Sequence, residues 1–197
     1  MFLWGCSNSS TDSVKEAKKE NTAKLDSQAK TRAGSDSLSA VLPSKADADF
    51  LVNAASGGML EIQLAHLAQK NAHNQRLKHF AAMMIKDHGE ISKKLKAVAI
   101  SKNITIPDSV SNQQQKEERR LEKMKGAAFD EAYIDKMVAD HKKNIEDFQR
   151  QAKDGNNEAI KAFARDNLRM LYIHLDSAYN IQRAIPKMPQ PTATPIK

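Results

Sequence analysis

The chain has a single cysteine, Cys6, in 197 residues, so no internal disulfide can form. No apolar run approaches the roughly 18–20 residues that a membrane-spanning helix needs. Glycine (7) and proline (6) are scarce, and aromatics are 5% of the chain. There is no Ser-His-Asp constellation, no glycine-rich phosphate loop and no cysteine pair, so those routes to nucleophilic or phosphoryl chemistry have no carriers. Lysine and arginine do not cluster, and no aromatics sit among them. A nucleic-acid surface is therefore not indicated, although the formal charge is +7.

What is present is a soluble, helix-favouring mixture. Hydrophobic residues make up 40% and charged residues 28%. Ala, Lys, Leu and Gln are common where helix breakers are rare. The length allows one domain with its own core, plus tails.

The first six residues, Met1-Phe2-Leu3-Trp4-Gly5-Cys6, are apolar and end in Gly-Cys, with Ser7-Asn8-Ser9-Ser10-Thr11 behind them. This resembles the end of a bacterial lipoprotein signal, truncated to residues 1–6. Leu3 stands three before the cysteine, and Gly5 is small enough for cleavage before Cys6. Trp4 is bulky for its place, and the stretch is shorter than the roughly 7–15 apolar residues of a full signal. The resemblance implies lipidation of Cys6 and a membrane lipid anchor. It also implies a place in the bacterial cell envelope, facing the periplasm. Residues 7–45, rich in Ser, Thr, Lys, Ala, Asp and Gln, read as a flexible polar stalk with transient helix around Val14–Lys30. Residues 187–197 read as a disordered tail.

Between them, residues 46–186 carry four long amphipathic patterns. The first, from Ala46 to Ala72 with Ser44 as N-cap, has the stripe Phe50, Ala54, Gly57, Glu61, Leu64, Ala68. Gly57 and Gly58 weaken it but would let a neighbouring helix approach. The second, Asn74 to Lys102, has Leu77, Ala81, Met84, His88, Ile91, Leu95, Val98. A polar lead-in spans Ser111 to Lys125. The third, Ala127 to Lys153, has Ile134, Met137, His141, Ile145, Phe148, Ala152. The fourth, Asn157 to Ile185, has Ile160, Phe163, Asn167, Leu171, His174, Ala178, Ile181. Four matched lengths with one apolar face each predict an all-α four-helix bundle.

The second and third patterns repeat at an offset of 53: Phe80 with Tyr133, Met84 with Met137, and Asp87-His88 with Asp140-His141. Each stripe has a polar member near its middle, namely Glu61, His88, His141 and His174. Mid-helix residues meet at mid-bundle whatever the helix directions, so the four fall in one buried layer. Such groups must pair or hold an ion.

Asp47-Ala48-Asp49-Phe50, Gly57-Gly58-Met59-Leu60-Glu61, the two Asp-His helices, Ala127-Ala128-Phe129-Asp130-Glu131-Ala132-Tyr133 and the His174 helix together resemble the domain-of-unknown-function family 4142. The resemblance covers about 140 residues. It implies a ferritin-like bundle with a long crossover between the second and third helices, which are then parallel. It also implies a bacterial envelope setting, and no settled activity.

One carboxylate and three imidazoles suit a single Zn, Fe or Cu ion held by Glu61, His88, His141 and His174. Asp87 and Asp140 would orient the ligands from behind or cap neighbouring helices. A di-iron centre needs Glu three residues before its histidines, where this chain has Ile85, Val138 and Leu171. The competing expectation is a metal-free layer in which Glu61 accepts hydrogen bonds from two histidines. The bundle would then be a structural or partner-binding module. His66, His73 and His79 read as exposed or flanking. Met83, Met84, Met137 and Met170 read as core filler. Tyr133, Tyr172 and Tyr179 read as packing with their hydroxyls near the surface. The stripes reveal no open coordination position and no substrate pocket, so an enzyme is the third expectation.

Overall fold

The computed structural model describes residues 12–32 and 42–185. Among the described residues there are six helices: α1 Ser13–Arg32, α2 Lys45–Asn71, α3 Gln75–Ser101, α4 Asn112–Glu122, α5 Gly126–Asp154 and α6 Glu158–Ala184. No strand occurs among the described residues. The four predicted helices are α2, α3, α5 and α6, with 27, 27, 29 and 27 residues.

Local chemistry sets the helix starts. Ser44 and Asp47 form a reciprocal capping box at α2, and Ser111 and Gln114 do the same at α4. Asn74 and Asn157 cap α3 and α6 through their side-chain oxygens. The end of α3 is a Schellman turn. Asn103 takes φ 55, Ile104 N–H donates to the Ala99 carbonyl at 2.9 Å, and Asn103 N–H donates to the Ile100 carbonyl at 3.1 Å. That turn starts the crossover carrying α4.

The topology is α2–α3 hairpin, crossover, α5–α6 hairpin, with α3 beside α6 and α2 beside α5. Two buried aspartates fix how α2 and α5 run. Asp47, at the start of α2, accepts from Gln151 Nε2 (2.6 Å) and Asn156 N–H (3.1 Å) at the end of α5. Asp130, at the start of α5, accepts from His73 N–H (2.9 Å) and Asn74 N–H (2.8 Å) just beyond α2. The two helices are therefore antiparallel, and α3 and α5 run parallel. This is the ferritin-like arrangement with a long crossover.

The core falls into two apolar halves. One is built around Leu64, Leu77, Met84, Phe129, Tyr133 and Met137. The other contains Phe50, Ile91, Phe148, Ile160, Phe163 and Leu171. Phe50 packs edge-on against Phe148, with ring centroids 4.9 Å apart. Between the halves lies the polar layer: His88 separates Met84 from Ile91, and His141 separates Met137 from Ile145.

The flexible stalk expected over residues 7–45 is a helix over Ser13–Arg32. Asn21 is 2% exposed and clamps the crossover backbone: its Nδ2 donates to the Thr105 carbonyl and its Oδ1 accepts from Thr105 N–H, both at 2.7 Å. Ala17 is buried, Leu25 packs on the second core half, and Asp12 caps the helix through Val14 N–H. The segment has too few apolar residues for a visible stripe. A paired side-chain amide anchors it where burial alone would not. The signal-like residues 1–6 with Cys6, and the tail 187–197, lie outside the described residues. Among the described residues, no helix is long and apolar enough to cross a membrane.

Candidate metal centre

Burial brings Glu61, His88, His141 and His174 together at 1%, 4%, 0% and 0% exposure. The three imidazole centroids form a nearly equilateral triangle with sides of 5.1, 5.3 and 5.6 Å. One ring nitrogen from each histidine lies within 4.8 Å of the others.

The partners of each ring nitrogen determine where its proton sits. His141 Nδ1 is 2.9 Å from the Met137 carbonyl, which can only accept, so Nδ1 carries hydrogen and Nε2 is bare. His174 Nε2 is 3.1 Å from Asp87 Oδ2, so Nε2 carries hydrogen and Nδ1 is bare. The two bare nitrogens, His141 Nε2 and His174 Nδ1, face each other at 3.3 Å. Two lone pairs at that separation repel, whereas two nitrogens about 2.0–2.1 Å from one tetrahedral ion sit at about that spacing.

Glu61 completes the layer. Its Oε1 accepts from Asn144 Nδ2 at 3.1 Å. Its Oε2 lies 3.1 Å from His88 Nδ1, close enough for charge contact but outside hydrogen-bond alignment. Glu61 Oε2, and on the other side of its ring His88 Nε2, are buried without a hydrogen-bond partner. Orphaned buried polar atoms each carry a penalty of about 1–3 kcal/mol. The expected network, with Glu61 accepting from two histidines, does not form. His141 Nδ1 is 3.6 Å from Glu61 Oε1 and is engaged by its own helix.

Burial also sets the charge state. Desolvation, and then the Asp140 charge, push the Glu61 carboxyl well above the usual range. Desolvation and the other two histidines hold His88 well below 6.5. Desolvation lowers His141 to about 4, against the opposing pull of the Met137 carbonyl. His174 is also lowered by burial, with Asp87 opposing. Burial thus favours three neutral imidazoles and biases the carboxyl beside them towards its protonated form. Neutral imidazole is the ligand form, and a cation would displace the carboxyl proton. The donor set therefore fits an ion.

The predicted orienting residues separate. Asp87 reaches His174. Asp140 does not reach a histidine; it pairs with Lys136 at 2.5 Å, one helical turn away, and acts on Glu61 by its charge. Asn144 was not legible beforehand, although its place three residues after His141 puts it on the same side of α5. Asn167 satisfies itself on the Phe163 carbonyl at 2.7 Å and takes no part. His66, His73 and His79 are exposed. Tyr133 departs from expectation, because its hydroxyl is buried and unpartnered and burial raises its pKa.

A cleft of about 760 Å³ opens between α2 and α5, and Glu61 is part of its wall. No sequence signal marks it, and Gly57 and Gly58 together are expected to admit a neighbouring helix. A Cβ placed there meets nothing within 4 Å, so Gly57 faces open space; Gly58 is the glycine turned towards His88 and Ser92 on α3.

Residues 32–181 match the sequence model described as Domain of unknown function (DUF4142). The chain belongs to the DUF4142 family. Among curated proteins, none matches it. A solved structure is similar in fold, the crystal structure of a DUF305 fragment from Deinococcus radiodurans. Its TM-score is 0.64 at 9% identity, covering 73% of this chain and 99% of that one. At that identity the likeness speaks for the fold alone. The DUF4142 match takes in all four bundle helices up to Ile181, and with them all four members of the polar layer.

Proposed function

We propose that this DUF4142 bundle binds one transition-metal ion, Zn, Fe or Cu, through His88, His141 and His174, with Glu61 as the carboxylate ligand. Its role is metal handling or stress protection at the bacterial cell envelope. The observation that carries the proposal is the pair of bare nitrogens on His141 and His174, each fixed by a partner behind it. Metal-binding histidines characteristically donate their other N–H to a carbonyl or carboxylate, as Met137 and Asp87 accept here. The orphaned His88 Nε2 and Glu61 Oε2 supply further donors without partners to lose. When bound, such an ion supplies Lewis acidity or one-electron chemistry. The protein's part is to hold three neutral nitrogens and one carboxylate in a water-poor layer between two apolar core halves.

The envelope setting rests on the Gly5-Cys6 signal-like start and the polar residues after it, with lipidated Cys6 as the anchor. Thermal unfolding of the purified chain with Zn²⁺, then with excess chelator, tests the binding. Tight binding to the native state raises the melting temperature by mass action, about 4 kcal/mol at a thousandfold excess over Kd, and chelator reverses it. A melting temperature unchanged by Zn²⁺, Fe²⁺ and Cu²⁺ overturns the proposal.

A further inference from the structure

We propose that the cleft between α2 and α5 is the path by which a divalent cation reaches the three histidines, with Glu61 passing it from cleft to rings. This rests on the metal reading above and goes beyond it by assigning the side from which the buried layer is reached.

Glu61 is the one member of the layer that lines the cleft; the three histidines do not. Its two oxygens divide accordingly. Oε1 is held by Asn144, another cleft residue, while Oε2 lies 3.1 Å from His88 Nδ1 and has no hydrogen-bond partner. A single carboxylate thus spans the boundary between open space and the imidazoles.

The walls suit a cation. Four aspartates (Asp49, Asp140, Asp147 and Asp154) line the cleft beside the Glu61 carboxyl; Lys136 pairs with Asp140, Lys143 and Arg150 both pair with Asp147, and Asp154 adds a further carboxylate, on a chain whose formal charge is +7. Carboxylate oxygens concentrated in a concave wall, on an otherwise basic protein, offer a cation its first contacts. Oxygen donors along the wall exchange readily with the water shell of a divalent ion. The nitrogens beyond them bind borderline ions more firmly. Gly57, one turn before Glu61, leaves the passage open because no side chain fills it.

The test is stopped-flow uptake of Zn²⁺ by the full chain, set beside equilibrium affinity from competition with a chromophoric chelator. Gly57→Leu places a branched side chain in the cleft, leaves all four ligands in the chain and is favourable in a helix. The expected result is association slowed about tenfold, with release slowed equally and affinity unchanged, since blocking a path alters both directions alike. Asp140→Asn is the second variant. It should slow association and flatten its dependence on ionic strength. Parent-like association rates in both variants overturn the path while leaving the metal reading intact. A parent chain that takes up no Zn²⁺ overturns both.

Discussion

His141 Nε2 and His174 Nδ1 face each other at 3.3 Å with no hydrogen between them, because Met137 and Asp87 hold the hydrogens on the opposite sides of the two rings. The arrangement is unfavourable in a metal-free core and favourable around a cation. Its consequences can be measured separately.

The first concerns Asp87. In Asp87→Ala, His174 is released to move its hydrogen to Nδ1 and donate to His141 Nε2. The metal-free protein should gain a hydrogen bond where it had a repulsion, while losing a pre-set ligand. Zn²⁺ affinity should fall about 10–100-fold, with metal-free stability equal to the parent's or higher. A chelator-competition titration and a denaturant melt read the two effects. Equal losses in both would mean that Asp87 serves only the fold.

Acidity separates the histidines from Glu61. The folded pKa of His141 is about 4, below its ordinary 6.5. As pH falls, the unfolded chain takes that proton first, so stability is lost between about pH 6.5 and 4, by about 3 kcal/mol from this group. Glu61 acts in the opposite sense. Its folded pKa lies above 4.5, so the stability it contributes is present below that value and lost as pH rises. Glu61→Gln in the metal-free chain should therefore be more stable than the parent at pH 8 and nearly equal at pH 4.5. Urea denaturation across pH 4–8 measures this. A Gln variant weaker than the parent at pH 8 would contradict the upward shift of the Glu61 carboxyl.

The docking of α1 is a third point. Asn21→Ala removes both hydrogen bonds to Thr105 and leaves two backbone groups to find water. A loss of about 1–3 kcal/mol in the local stability of α1 is expected. Hydrogen exchange should show faster exchange over Ser13–Arg32, with α2, α3, α5 and α6 unchanged. Unchanged protection in α1 would show that its other contacts with the crossover suffice.

A fourth prediction concerns Asp47. Its carboxylate accepts from Ser44 N–H at 2.8 Å, Gln151 Nε2 and Asn156 N–H, joining a helix cap to the far end of α5. Asp47→Ala should cost about 2–4 kcal/mol by denaturant unfolding. Metal affinity should stay close to the parent's, because the pin lies at the end of the bundle and the metal layer near its middle.

The bundle and its polar layer were legible because the burial pattern of each long helix is written in a three-to-four-residue period. Glu61, His88 and His141 each stand alone as the polar member of an apolar stripe, His174 shares its stripe with Asn167, and mid-helix position brings the four to one level. Helix directions were not in the periodicity. They rest on Asp47 and Asp130, whose partners lie on other helices. The same holds for Asn144 and for the separate fates of Asp87 and Asp140, which share a sequence context and differ only in what packs opposite. The stable docking of α1, expected only as transient helix around Val14–Lys30, was missed because polar contacts anchor it (Asn21 and Lys24 on Thr105, Ser13 on Asp108, Asp12 on Asn112 N–H) rather than an apolar stripe. The cleft was missed because an absence of side chain at Gly57 reads the same in sequence whether a helix or open space lies beside it.

The central claim is most directly tested by elemental mass spectrometry. The chain should be purified without chelator or nickel affinity, beside His88→Ala and His141→Ala. The account predicts close to one equivalent of Zn, Fe or Cu in the parent and a clear drop in both variants. A parent that is metal-free, and that takes up none of the three when they are supplied, would contradict it.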